Sequence, residues 1–110
     1  MNARRLAVVL VLALVAATAW AQDSPLFKLV ARDGKFEPVV LEVPAGQRFR
    51  IEVTNANKKA IEFESKDLKQ ERVIPPGGKA VVTVNPLKAG EYTFFDEFQQ
   101  ATANGKVVAK

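Results

Sequence analysis

The chain has 110 residues, with 16 Lys and Arg against 12 Asp and Glu, 48% hydrophobic and 25% charged residues, no Cys and no His. That length suits one ordinary domain, and the balance excludes a disordered or low-complexity chain. Without thiols or imidazoles there is no disulfide framework, iron–sulfur cluster, zinc finger or histidine general base, so any chemistry rests on carboxylates, amides, hydroxyls, lysine and the backbone.

In chain order, Arg4-Arg5 give a basic start, residues 6–17 are apolar and uncharged, and Ala19-Trp20-Ala21 offers the small-x-small pattern of a signal-peptidase site. The pattern predicts a cleavable signal peptide over 1–21, a mature domain over 22–110, and export to a bacterial periplasm. The apolar run over 6–21 is 16 residues long, short of the roughly 20 that a membrane helix needs, so the mature form is expected not to span a membrane. Cleavage lowers the net charge from +4 to +2, and the remaining Lys and Arg form no long patch. Nucleic acid is therefore not an expected partner.

The mature part alternates short strand patterns with turn signals. Residues 26–31 form the first predicted strand, ended by Asp33-Gly34, and residues 39–43 the second, stopped by Pro44-Ala45-Gly46. Residues 48–53 alternate charged with apolar side chains, the period of a half-buried strand. After the polar connection Asn55-Ala56-Asn57-Lys58-Lys59, the alternation resumes over 60–64, with Ile61 and Phe63 on one face and Glu62 and Glu64 on the other.

A polar segment over 65–70 has room for one helical turn, and a short strand is predicted over 72–74. Pro75-Pro76-Gly77-Gly78 then reads as a turn, because Pro fixes φ and Gly permits positive φ. Strands follow over 79–84, 92–95 and 106–109, which makes eight in all. A turn signal about every ten residues marks an all-β sandwich or small barrel.

Val43-Pro44-Ala45-Gly46, Val53-Thr54-Asn55, Pro76-Gly77, Gly90-Glu91-Tyr92-Thr93-Phe94 and Gly105-Lys106-Val107 stand in the order and at the spacing of the cupredoxins. The resemblance covers residues 27–110 and implies a cupredoxin-like Greek-key β-sandwich. More closely, Glu62-Phe63-Glu64-Ser65, Glu71-Arg72-Val73-Ile74 and Phe94-Phe95-Asp96-Glu97-Phe98 resemble the small EfeO-type cupredoxin-like proteins of bacterial iron-uptake systems. That likeness implies a periplasmic protein beside an iron permease that handles iron or copper ions.

In the blue copper proteins that the chain resembles, a first His ligand falls where this chain has Glu62, the Cys ligand where it has Asp96, and the second His where it has Gln99. The Met ligand falls near Ala103 or Asn104. A type 1 copper centre is thus not expected, since its thiolate is missing. What remains is a set of oxygen donors, Glu62, Glu64, Glu71, Asp96 and Glu97, suited to hard cations such as iron. If three or four converge, their repulsion favours a neutralising cation.

The same residues also read more plainly. Glu62 and Glu64 fit a solvated sheet face, with Lys58, Lys59, Lys66, Lys69 and Arg72 as salt-bridge partners worth under about 1 kcal/mol each. Asp96-Glu97 lies between Phe94, Phe95 and Phe98, which requires the two charges to face solvent, pair or bind metal. Tyr92 reads as a core anchor whose hydroxyl needs a partner. No serine or threonine has a basic partner in a nucleophile pattern, and no glycine-rich phosphate loop is present, so an enzyme in the usual sense is not expected. Three functions remain open: a metal-binding accessory of iron uptake, a weak ferrous-iron oxidase, and a metal-free docking module for a permease or another periplasmic partner.

Overall fold

The computed structural model describes residues 24–110; the predicted leader over 1–21 and its cleavage point lie outside the described residues. Nine strands follow in chain order: β1 Leu26–Arg32, β2 Lys35–Glu37, β3 Val40–Val43, β4 Phe49–Asn55, β5 Ile61–Ser65, β6 Gln70–Ile74, β7 Lys79–Val84, β8 Gly90–Asp96 and β9 Asn104–Ala109. A single 3₁₀ turn, Glu97–Gln99, separates β8 from β9. The strands form a four-stranded sheet in the order β2-β1-β4-β7 and a five-stranded sheet in the order β3-β9-β8-β5-β6. Two pairs, β1 with β4 and β3 with β9, are parallel, because the chain changes sheet between their members.

The alternation legible in the sequence decides which face each strand buries. In β4, Phe49, Ile51, Val53 and Asn55 are buried, whereas Arg50, Glu52 and Thr54 are only half-buried. In β5, Ile61, Phe63 and Ser65 point into the core and Glu62 and Glu64 outward. The inner faces meet in one apolar cluster in which Phe36 packs edge-on against Phe63 and Phe94, at centroid separations of 6.1 and 5.2 Å. Tyr92 packs against this cluster and its hydroxyl donates to the Lys88 carbonyl at 2.8 Å, so the expected partner is a backbone oxygen.

Two local expectations need correction. Asp33-Gly34 is not merely where a strand stops: both residues take positive φ, 53° and 71°, and the chain folds back as β2 against β1. Paired positive φ matches the twist of a tight hairpin, and it carries Phe36 into the core. The segment after Ser65 forms no helix. Ser65 Oγ instead accepts from Leu68 N at 2.9 Å and donates to the Thr93 carbonyl at 2.7 Å, which fixes an irregular turn with Leu68 buried. The turn at Pro75-Pro76-Gly77-Gly78 is as expected: Gly78 N donates to Pro75 O at 2.9 Å, with Gly77 at φ 71°.

One end of the sandwich collects the β1–β2 turn, the β4–β5 loop, the β6–β7 turn and the 3₁₀ turn. Asn55, fully buried at the end of β4, ties two of these together. Its side-chain nitrogen donates to Lys59 O, Ile74 O and Pro75 O at 2.9, 3.0 and 3.2 Å, and its oxygen accepts from Asn57 N at 2.9 Å. The 3₁₀ segment lies against the β1–β2 turn so closely that a Cβ on Gly34 would come within 2.6 Å of Gln99 Oε1.

Candidate metal centre

The acidic residues take their places from strand register. Glu64 is paired across β5–β6 with Glu71 and across β5–β8 with Phe95. Glu62, two residues away on the same face, is paired with Val73 of β6. Side chains directly opposite on one face lie close enough to interact, so the outer face of this part of the five-stranded sheet carries Glu62, Glu64 and Glu71 together. Glu97 joins them at the start of the 3₁₀ turn, immediately beyond the β8 residue that pairs with Phe63.

These four carboxyl groups associate in two pairs. Glu62 shares a side-chain hydrogen bond with Glu71, and this bond, then partial desolvation, then the negative charges of Glu71, Glu97 and Asp96, raises its pKa above the usual carboxylate value. Glu64 is raised in the same way, by a hydrogen bond with Glu97 first, then desolvation, then the charges of Glu97, Glu71 and Glu62. Carboxyl groups this close repel one another when ionised, so each pair is a place where a positive charge is wanted.

The expected basic partners do not supply it. Among the described residues the ion pairs are Arg32–Glu37, Lys106–Glu91 and Lys110–Glu42, and none involves the four glutamates. Arg72 stands opposite Phe63 in the ladder and so belongs to the other face of β6 from Glu71.

Asp96 departs from the group. It is 1% exposed, and its Oδ1 accepts from the backbone N–H of both Glu62 and Phe98 at 3.0 Å. Among the described residues, no three acidic side chains converge closely enough to enclose one ion. The geometry is thus two open carboxyl pairs on a sheet face, not a closed cage. Two apolar side chains that sequence reasoning did not single out flank them: Val73 is 61% exposed and Phe98 56%. Val73 lies in the predicted strand over 72–74 and was accessible to a period-two argument, whereas Phe98 follows a turn whose direction no pattern announces.

A type 1 copper site does not fit these residues. The chain has no His and no Cys, and its one Met is Met1. At the positions where the resemblance would set ligands, the Glu62 side chain faces outward, Asp96 faces inward, Gln99 is packed over Gly34, and Ala103 is a buried apolar residue.

The cupredoxin-like domain family matches residues 5–109. The "Uncharacterized protein RP394" of Rickettsia prowazekii (strain Madrid E) is 37% identical over 81 residues, which is 74% of this chain and 65% of that protein, just under two thirds of its length. Auracyanin A, a "blue" copper protein of Chloroflexus aurantiacus, superposes with a TM-score of 0.68 at 14% identity, over 80% of this chain and all of the other. The metal-binding domain of the Streptococcus pneumoniae D39 Cu(I)-exporting P-type ATPase CopA gives a TM-score of 0.69 at 14% identity, over 77% of this chain and 84% of that one. Amicyanin from Paracoccus versutus gives 0.60 at 14% identity, over 82% and 88%. At such identities the structural neighbours establish the fold alone, and the family match over nearly the whole length establishes the kinship: the chain belongs to the cupredoxin-like domain family.

Proposed function

We propose that this protein is an exported, periplasmic accessory of a bacterial iron-uptake system, of the EfeO-like kind, which holds iron ions on its way to a permease. The observation that carries the reading is the gathering of Glu62, Glu64 and Glu71 on one sheet face with Glu97 beside them, crowded enough to raise the pKa values of Glu62 and Glu64. Carboxylates are hard ligands that suit iron, with divalent copper as the second cation they accept. An open site on a sheet face releases its ion readily, as a carrier requires. The structural neighbours that bind copper do so in their own right; here the donors are oxygens.

Calorimetric titration of the purified protein with ferrous iron under anaerobic conditions, and with ferric and copper(II) salts, tests this. Saturable binding is expected, weakened at least about tenfold, or 1.4 kcal/mol, in a Glu64→Gln/Glu97→Gln variant. Flat heats for every ion overturn it.

The exposed Val73 and Phe98 beside the carboxyl pairs favour a second reading, a docking face for a permease or another periplasmic component. On that reading Val73→Ser and Phe98→Ser impair iron delivery while the ion titration is unchanged.

A further inference from the structure

We infer that Asp96, which stands where the cupredoxin resemblance would set a metal-liganding Cys, holds no cation and instead staples the 3₁₀ turn to strand β5. The staple answers a deficit created by the backbone. Pairing of β5 with β8 ends at Phe63 opposite Asp96, because the next residue of β8's chain, Glu97, turns into the 3₁₀ segment. The Glu62 N–H therefore meets no strand acceptor on that side, and the Phe98 N–H is one of the donors that the start of any helical turn leaves unmet. Asp96 Oδ1 accepts both, each at 3.0 Å. Its own N–H donates to Ala103 O at 2.9 Å, which closes the loop between the 3₁₀ turn and β9.

Two N–H dipoles converging on one buried oxygen present their positive ends to any approaching ion. A cation at Oδ1 would have to displace both of these hydrogen bonds. The charge of Asp96 is thus used internally, in the loop where blue copper proteins use a metal. The staple also sets the position of Glu97, one residue on, against Glu64; this second consequence rests on the function proposed above, whereas the staple itself does not.

Amide hydrogen exchange in the purified chain, compared between Asp96→Asn and Asp96→Ala, tests the inference. Asp96→Asn keeps an oxygen acceptor, and both the Glu62 and Phe98 amides are expected to stay protected, with the iron titration unchanged. Asp96→Ala is expected to expose both amides to exchange faster by about tenfold or more, since it removes the acceptor of both hydrogen bonds. Wild-type protection at both amides in Asp96→Ala overturns the staple. So does an Asp96→Asn variant that loses iron binding while both amides stay protected, for then Asp96 is a ligand. If Asp96→Ala does not fold, NMR coupling through the hydrogen bonds, from the Glu62 and Phe98 nitrogens to the Asp96 carboxyl carbon, decides: its presence in the wild type supports the staple and its absence overturns it. A chain that binds no iron ends the carrier reading, while the amide results still decide the role of Asp96.

Discussion

Glu64 and Glu71 stand directly opposite one another in the β5–β6 ladder, two like charges on one sheet face. Cross-strand partners of the same sign are destabilising, and most sheets put an opposite charge or an apolar residue there. Here the crowding also takes in Glu62 and Glu97, and it raises the pKa values of Glu62 and Glu64, which relieves the repulsion at any pH where those two are protonated.

The relief depends on pH in a definite direction. The folded pKa values of Glu62 and Glu64 lie above the unfolded value of about 4.3, so the folded chain binds more protons than the unfolded chain between the two values. The associated stabilisation is complete below about pH 4.3 and is lost as pH rises through the raised folded values. Glu64→Gln removes the charge and keeps a hydrogen-bonding side chain. Its melting temperature should equal that of the wild type near pH 4 and exceed it by about 2 °C at pH 7. Thermal melts across this range check it, and a difference that does not change with pH contradicts it.

A cation bound among these carboxyl groups should act as a stabilising ligand. At a hundredfold excess over Kd, iron is expected to raise the unfolding free energy by about 2.7 kcal/mol. A chelator should reverse the gain, and the Glu64→Gln/Glu97→Gln variant should show little of it. Denaturant unfolding with and without the ion measures the effect.

The parts of the molecule that follow from periodicity were legible in the sequence. Strand β7, with its buried Ala80, Val82 and Val84, and the two faces of β5 follow from alternation alone. The family likeness was legible because its turn residues perform fixed geometric tasks, as Gly77 does at φ 71°. Strand β2 was not legible, since three residues hold too little pattern, and only the tertiary packing of Phe36 makes them a strand. Glu62, Glu64, Glu71 and Glu97 could be named from the sequence as oxygen donors, but which of them stand together depends on register, which spacing does not give. The inward turn of Asp96 was hidden for a related reason: a carboxylate between phenylalanines reads the same whether it meets water, a metal or two backbone N–H groups.

Phe36 is the clearest case of a residue whose weight only the fold reveals. It is 1% exposed and touches Phe63 of the five-stranded sheet and Phe94 beside it, so one ring bridges both sheets. Phe36→Ala is expected to cost about 3–5 kcal/mol, from lost burial and the cavity left between the sheets. Urea denaturation measures it, and a loss below about 1 kcal/mol would mean that the sheets close over the gap.

Asn55 should matter by a different mechanism, since its side chain contributes hydrogen bonds and not apolar burial. It donates to three carbonyl oxygens and accepts from Asn57 N while 0% exposed, and thereby joins the β4–β5 loop to the β6–β7 turn. Asn55→Ala leaves Ile74 O and its neighbours without that donor, and buried groups stripped of a partner cost about 1–3 kcal/mol. Asn55→Asp should be worse: it keeps the acceptor for Asn57 N, but it turns a buried carboxylate toward carbonyl oxygens. The order expected in urea denaturation is therefore wild type, then Asn55→Ala, then Asn55→Asp. At pH values low enough to protonate the new carboxyl, Asn55→Asp should recover toward the alanine variant, because the neutral acid donates one hydrogen bond again. An aspartate variant as stable as the wild type at neutral pH would show that the loop and the turn are held together by something other than this side chain.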